Sequence, residues 1–229
     1  MNLSEVDHCL NIMPLFHIHG LIAILAASIK SGASVCASNG FNALKFLELA
    51  KSEKITWYSG VPTMHQAILS RAVRNSEIIA MTKLRFIRSS SAPLPSATMK
   101  ELEKTFNCPV IESYGMTEAS HQMTSNHLPP GNRKAMKVGF AAGPEVSVMD
   151  ESGEFLKQGE VGEIVIRGLN VTTGYESNPE ANASAYQEGW FRTGDQGRFD
   201  EDGYLTITGR LKEIINRGGE KISPREIDE

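Results

Sequence analysis

Short apolar runs alternate with longer amphipathic stretches along the first 135 residues. The apolar runs are rich in β-branched and aromatic residues, which is typical of strands: SVCAS at 34–38, ITWYSGV at 55–61, LRFIRSS at 84–90 and PVIESY at 109–114. The stretches FNALKFLELAKSEK at 41–54 and SATMKELEKTF at 96–106 have helical spacing, and Ser96 is the expected cap of the second helix. Strands joined by crossover helices favour a mostly parallel sheet with flanking helices, an α/β fold.

The pattern changes after a polar linker, NHLPPGNRKAM, at 126–136. Short strand-like runs then follow one another, and only NPEANASAY at 178–186 has a helical pattern. The sequences DESGEF and DEDGYL predict hairpin turns that close on Gly153 and Gly203. We therefore expect a smaller, antiparallel β subdomain in this part of the chain.

These patterns predict three segments. Residues 1–135 are expected to form an α/β subdomain and residues 136–208 a β-barrel-like subdomain. Residues 209–229 read as a hinge followed by the start of a further domain, because SPREIDE resembles the first turn of a helix. We expect the chain to be part of a longer protein.

Charge and cysteine content exclude several classes of function. The net charge is -4 and the 23 lysine and arginine residues are scattered, which argues against a nucleic-acid partner. The three cysteines, Cys9, Cys36 and Cys108, are far apart and have no metal-ligand spacing. We predict no disulfide and a reducing compartment.

The longest apolar run does not predict a membrane span. GLIAILAASI at 20–29 is about half of the roughly 20 residues that a span requires, so it predicts a buried helix. The N-terminus has neither a basic segment nor a cleavage site of the secretory type. We expect a cytoplasmic protein, with a peroxisomal location left open for a eukaryotic source. The sequence does not indicate an oligomeric state.

Polar side chains follow two of the predicted strands, in SSSAPL at 89–94 and SYGMTEASHQ at 113–122. Ligands of parallel sheets bind at the carboxyl ends of strands. Tyr114 offers a ring that can stack on a base, Thr117 a hydroxyl for a phosphate oxygen, and Glu118 a carboxylate suited to Mg²⁺. The alternative is a capped helix start without a ligand.

Two further candidates follow glycine turns near the C-terminus. Asp195 and Arg210 supply a carboxylate and a guanidinium that could both reach the hydroxyls of a sugar. Taken singly, such residues are more often solvated turn formers.

Four stretches in this order resemble the adenylate-forming superfamily of acyl-CoA synthetases, luciferases and peptide-synthetase adenylation domains: NIMPLFHIHG, SSSAPL, YGMTEA and TGD…GRLKEIINRGGEKISP. The resemblance covers essentially the whole chain. Within the superfamily, EASHQMTSN, RFIRSSSA and INRGGEKISP are similar to the oxalate–CoA ligases of fungi and plants. The resemblance implies that ATP and a small carboxylic acid form an acyl-adenylate, which is then transferred to coenzyme A.

The resemblance also assigns a nucleotide site to residues that follow two strands: Ser91, Ala92, Pro93, Tyr114, Gly115, Met116 and Thr117. It implies that Tyr114 stacks on adenine and that Thr117 holds the α-phosphate. Asp195 would accept hydrogen bonds from the ribose hydroxyls, and Arg210 would support the ribose or the phosphate. Glu118 would be the protein ligand of Mg²⁺.

Other residues are implied to serve the acid and the domain movement. His17 matches a position that gates entry of the carboxylate, although a histidine behind an apolar strand is more often a core residue. Ser91 and His121 match positions near the distal carboxylate of oxalate. Lys212 falls at the hinge of the family, and Gly218 and Gly219 would line the path of coenzyme A.

The chain departs from the family pattern in two ways. It contains no Ser/Thr/Gly-rich phosphate loop and no C-terminal domain with the lysine that bridges the reacting groups. Both parts stabilise the charge of the transition state, so we expect negligible ligase activity from this chain alone. Two alternatives remain: an adenylation domain that loads a carrier protein, and a non-catalytic AMP-binding fragment.

Overall fold

The computed structural model describes residues 1–213 and the backbones of 215–217 and 220–222. Its larger sheet contains five parallel strands in the order β2-β1-β3-β4-β5. They are β1 (His8–Asn11), β2 (Ser34–Ala37), β3 (Trp57–Gly60), β4 (Phe86–Ser89) and β5 (Val110–Tyr114). Two short strands, β6 (Thr124–Ser125) and β7 (Phe140–Ala141), extend the β5 edge in antiparallel orientation. The predicted parallel sheet is confirmed.

Helices connect these strands. A π-helical segment, His19–Ala26, continues into α1 (Ala27–Lys30), and α2 (Ala43–Ser52), α3 (Pro62–Ala72), α4 (Ser76–Met81) and α5 (Ser96–Phe106) follow. The prediction of Ser96 as a helix cap is wrong, because Pro95 occupies the capping position and α5 has no side-chain cap. The apolar run at 20–29 is helical but only partly buried, since Leu21 and Ile29 are exposed.

Apolar layers cover both faces of the parallel sheet. On one face Leu10, Tyr58 and Ile87 pack against side chains of α2, α3 and α5. On the other face Cys9, Trp57, Phe86 and Ile111 pack with Ile24 of the π-helical segment and with Met13. Burial on both faces explains why these strands are rich in apolar residues.

The second sheet is antiparallel, as predicted. Strands β8 (Glu145–Met149), β9 (Gly162–Arg167), β10 (Tyr186–Gln187) and β11 (Trp190–Phe199) are ordered β10-β11-β9-β8, and β12 (Leu205–Arg210) pairs with β11. Helix α6 (Pro179–Ala185) precedes β10. Gly153 and Gly203 have φ angles of 93° and 82°, which is the left-handed region that the two predicted turns require.

A shared apolar cluster joins the two sheets. Tyr114, Ala119 and Met123, which lie at and after the end of β5, pack against Ile164 of β9 and Phe191 of β11. The end of β5 is therefore fixed next to the middle of β11. No helix in the described part of the chain is long and apolar enough to cross a membrane.

The last described residues form two short antiparallel strands, β13 (Ile215–Arg217) and β14 (Glu220–Ile222). Gly218 and Gly219, for which a place along the path of coenzyme A was expected, lie outside the described residues.

Candidate active site

A bulge in β11 presents Asp195. Gly194 takes a φ of 74°, and its backbone N–H donates to Oε1 of Glu163 at 2.9 Å. The Thr193 hydroxyl donates to the Ile164 carbonyl and accepts a hydrogen bond from the Asp195 N–H. The pairing of β11 with β9 shifts register between Arg192 and Gln196, so the bulge aims the Asp195 side chain away from the regular ladder.

Tyr114, Asp195 and Arg210 meet in one hydrogen-bonded group. The Tyr114 hydroxyl donates to Oδ2 of Asp195 at 2.5 Å, and Nε of Arg210 donates to Oδ1 at 2.9 Å. Burial and the neighbouring Asp195 carboxylate raise the pKa of Tyr114 well above its usual range, so the phenol remains a donor. Residues 81 positions apart in sequence thus form a single polar group at the junction of the two sheets.

A cavity of 560 Å³ opens beside this group. Eight of the residues predicted to bind the nucleotide line it: Ser91, Ala92, Pro93, Tyr114, Gly115, Met116, Asp195 and Arg210. Val138 and Ile207 add apolar surface to the same wall. A pocket with a mainly apolar lining and a few convergent polar groups is typical of a small-molecule site.

A second cavity, of 680 Å³, adjoins the first and shares Ser91, Gly115, Met116 and Arg210 with it. The remaining predicted residues line this cavity: His17, Thr117, Glu118, His121 and Lys212. His17 and Lys212 are exposed, so His17 is not the core histidine of the alternative reading. Apart from Gly218 and Gly219, the predicted site residues therefore all line one or both of these two adjoining cavities.

Glu118 is one of two carboxylates that line the second cavity, and the other, Glu163, pairs with Arg192. The Tyr175 hydroxyl donates to its Oε1 at 2.9 Å, and the Thr172 N–H donates to its backbone carbonyl at 2.7 Å. No group of three or more His, Cys, Asp or Glu side chains suited to a metal occurs in the described part of the chain. One carboxylate nevertheless fits Mg²⁺, which commonly takes few protein ligands and completes its shell with phosphate oxygens and water.

Several non-glycine residues at or next to the second cavity have left-handed backbone conformations. Ser91, Ser120 and His121 have φ angles of 71°, 50° and 79°, a region that non-glycine residues seldom adopt. Gly115 allows the chain to pass close by, because a Cβ there would lie 1.4 Å from the carbonyl oxygen of His121. Strain of this kind clusters at functional sites.

A buried polar cluster behind the second cavity was not predicted. The Arg88 guanidinium contacts Ser59, His19, His121 and Gln122, and donates to Oε1 of Gln122 at 2.9 Å. The available signal was an arginine inside the apolar run LRFIRSS, because a charged residue in a buried strand requires an explanation. Four further residues that support the site were also missed: Glu163, Thr172, Tyr175 and Arg192.

Known proteins share the sequence of the segments that form this site. Residues 1–176 match the model of the family described as AMP-binding enzyme. The chain belongs to this AMP-binding family. The match with individual known proteins extends past residue 176 and includes the part that carries Asp195 and Arg210.

Among the relatives of this AMP-binding chain, an oxalate–CoA ligase of Arabidopsis thaliana is 49% identical over 229 residues, 99% of the chain and 44% of the relative. An oxalate–CoA ligase of Saccharomyces cerevisiae is 48% identical over 99% of the chain and 41% of the relative. A sulfoacetate–CoA ligase of Cupriavidus necator is 39% identical over 99% of the chain and 44% of its own length. The chain thus spans less than half the length of these relatives.

Solved structures of the same architecture carry nucleotides. ATP-bound MatB from Rhodopseudomonas palustris superposes with a TM-score of 0.90 at 34% identity, covering 98% of this chain and 44% of MatB. The O-succinylbenzoate coenzyme A synthetase of Bacillus subtilis, in complex with ATP and magnesium ion, gives 0.87 at 31% identity, with 99% and 46% coverage. These likenesses support the predicted α/β fold class.

Proposed function

We propose that this chain is the nucleotide- and acid-binding part of an ATP-dependent acid–CoA ligase. A carboxylate oxygen of the acid attacks the α-phosphorus of ATP, the bond to the β-phosphate breaks, and pyrophosphate leaves. The thiolate of coenzyme A then attacks the acyl carbon and displaces AMP. The observation that carries the proposal is the joined group of Tyr114, Asp195 and Arg210 at the edge of the 560 Å³ cavity.

The adenosine half of ATP is proposed to occupy that cavity. Ser91 to Pro93 would lie along the edge of the base, and the Tyr114 ring would stack on its face. Asp195 would accept from the ribose hydroxyls, because its two oxygens already face the cavity wall with Tyr114 and Arg210 as fixed neighbours. Preorganised donors and acceptors cost little reorganisation when the ligand binds.

The reacting phosphate is proposed to lie in the 680 Å³ cavity. Thr117 would donate to an α-phosphate oxygen, and Glu118 would hold Mg²⁺, which offsets charge on the phosphoryl group when it is bound. His17 would stand at the entrance for the carboxylate, and Lys212 would mark the hinge between residues 1–208 and a further domain. For the part of the complete protein that this chain spans, we propose the same three segments as above, 1–135, 136–208 and 209–229.

The acid is proposed to be a small dicarboxylate such as oxalate. Ser91 and His121 would approach its distal carboxylate, and both line the cavity that contains Thr117 and Glu118. Support comes from two relatives named as oxalate–CoA ligases, at 49% and 48% identity. Long apolar acids would leave the buried polar groups of this cavity unpaired, which costs about 1–3 kcal/mol for each group.

The test is acid-dependent exchange of radioactive pyrophosphate into ATP by the complete protein. We expect exchange with oxalate, little with octanoate, and loss of activity in Asp195→Ala. Equal turnover of oxalate and octanoate would contradict the assignment of the acid, and absence of exchange with every acid would contradict the ligase. Thioester formation with coenzyme A separates the proposal from an adenylation domain, which would transfer the acyl group only to a carrier protein.

A further inference from the structure

Arg88 is an arginine in the centre of a parallel sheet. Its side chain belongs to β4, is 1% exposed, and lines a further cavity, of 670 Å³, together with His121 and Gln122. Nη1 lies 3.3 Å from the Ser59 hydroxyl oxygen and 3.4 Å from Nε2 of His19. Nη2 donates to Gln122 at 2.9 Å and lies 3.4 Å from Nδ1 of His121. These four contacts are made with a hydroxyl, an amide oxygen and two imidazoles.

None of the ion pairs found among residues 1–213 includes Arg88, and burial alone accounts for the shift of its pKa. Burial lowers the pKa of Arg88 to about 10, which still leaves it cationic at neutral pH. Burial and the Arg88 cation lower the pKa of His19 to about 2 and that of His121 to about 3. The cluster thus carries one positive charge and two neutral imidazoles. A buried cation without an anionic partner is costly, so the presence of Arg88 points to a ligand of negative charge.

Two residues of the proposed acid site, Ser91 and His121, contact this cluster. Nδ1 of His19 lies 3.1 Å from the Ser91 hydroxyl oxygen, and Nε2 of the same ring lies 2.6 Å from the Ser59 hydroxyl oxygen. His121 lies against Arg88 and also lines the 680 Å³ cavity, as does Ser91. Ser91 and His121 can themselves supply hydrogen bonds but no charge, since His121 is neutral. Arg192, Arg210 and Lys212 also line this cavity, and Arg88 is the cation in direct contact with the His121 ring.

We infer that Arg88 determines specificity for dianionic acids, by supplying through His121 and Ser91 the positive charge that holds the second anionic group of the substrate. This inference rests on the proposed ligase function and extends it to the class of acid. Arg88 is a positioning residue, because it acts on the acid through its neighbours. At low dielectric, a charge a few ångströms behind the first layer of side chains still discriminates strongly between an anion and a neutral group.

The test compares acids with their monoamides, which have nearly the same shape but one negative charge fewer. Specificity is the ratio of kcat/KM for oxalate over oxamate, malonate over malonamate, and succinate over succinamate, measured on the complete protein. In the wild type we expect kcat/KM for the preferred diacid to be much larger than kcat/KM for its monoamide. In Arg88→Gln the ratio should fall roughly tenfold to a hundredfold, as for loss of one charge-assisted interaction. Arg88→Lys keeps the charge and should retain most of the ratio.

A purely structural role would lower kcat/KM for the diacid and for its monoamide by the same factor. An unchanged ratio in Arg88→Gln would therefore overturn the inference. If that variant does not fold, a wild-type protein that uses diacid and monoamide equally well would overturn it too. Failure of the proposed function looks different, because no acid would then support pyrophosphate exchange. The KM for ATP serves as the internal control and should change by less than about threefold in either variant, since ATP is proposed to contact other residues.

Discussion

The hydroxyl of Tyr114 lies 2.5 Å from Oδ2 of Asp195 and joins the last residue of β5 to the bulge of β11. Both side chains are buried, and Arg210 from β12 holds the second carboxylate oxygen. The orientation of Asp195 is therefore set by three strands before any ligand binds. This preset orientation is why we place the ribose there.

Asp195→Ala should weaken binding of AMP. The substitution removes a carboxylate proposed to accept hydrogen bonds from both ribose hydroxyls, and charge-assisted bonds contribute about 1.5–3 kcal/mol each. The expected loss of affinity is at least tenfold, measured by calorimetry with AMP and Mg²⁺. Tyr114→Phe retains the ring and should weaken AMP binding less than Asp195→Ala does.

Asp202→Asn is the matched control for this measurement. Asp202 is an exposed carboxylate that pairs with Lys134, away from both cavities, and its loss should leave the affinity for AMP unchanged. Circular dichroism would show that each variant is folded. If folded Asp195→Ala binds AMP as tightly as the wild type, the ribose assignment is wrong.

Strands β3, β4 and β5 were predictable because each is a largely apolar run buried on both faces, whereas the edge strand β2 is only partly buried. The site residues that follow β4 and β5 could also be located, since ligands of such sheets bind at strand ends. The pairing of Tyr114 with Asp195 could not be predicted from spacing, because it depends on how two separate sheets pack. Strand β6, of two residues, is too short to show an alternating pattern.

Gly115→Ala tests the close approach that positions His121. A Cβ at Gly115 would meet the His121 carbonyl oxygen at 1.4 Å, which backbone movement alone can relieve. We expect a loss of about 3 kcal/mol or more in the free energy of unfolding, measured with urea. Because His121 would move, the KM for the acid should also rise.

Gly60→Ala is the control for loss of a glycine at the end of a buried strand. The nearest atom to its added Cβ lies 3.4 Å away, so this variant should change stability by no more than about 1 kcal/mol. Equal stability of the two variants would show that the loop at His121 adjusts freely.

Tyr175→Phe tests the support of the proposed magnesium ligand. Its hydroxyl donates to Oε1 of Glu118, and burial together with this contact raises the pKa of Tyr175 to about 12. Partners that orient a metal ligand typically contribute tenfold or more to metal affinity. We expect the Mg²⁺ concentration for half-maximal activity to rise about tenfold in the complete protein.

Tyr204→Phe provides the comparison, because its hydroxyl donates at 3.0 Å to the Asn132 carbonyl and lines neither cavity. This variant should keep the Mg²⁺ dependence of the wild type. The same Mg²⁺ dependence in Tyr175→Phe and the wild type would argue against Glu118 as the ligand.

The polar cluster around Arg88 could not be predicted from the pattern of apolar residues. The apolar residues of its run, LRFIRSS, correctly predict a strand, but they give no indication of the role of the charge within it. The second half of the cluster, His121 and Gln122, comes from a loop that folds back over the strand end past Gly115. Such a contact has no periodic signal in the sequence.

Stability should fall as the pH is lowered from 7 to 5. The pKa values of His19, His121 and His65 are lowered in the folded chain to about 2, about 3 and about 4, chiefly by burial. Between these values and the unfolded value of about 6.5, the unfolded chain binds more protons, so stability rises with pH in this window. Each buried imidazole then contributes up to about 2 kcal/mol that is present above pH 6.5 and lost at pH 5.

Urea unfolding at pH 7.5, 6 and 5 measures this dependence, and His121→Gln identifies the contribution of one ring. The variant cannot gain a proton on unfolding, so its stability should depend less steeply on pH than that of the wild type, by up to about 2 kcal/mol over the interval. Any general damage from the substitution would lower stability equally at all three pH values and would leave the slope unchanged. A wild-type stability that is flat between pH 7 and 5 would mean that the imidazoles gain protons in the folded chain as readily as in the unfolded chain, and the cluster around Arg88 would then carry more than one positive charge at pH 5.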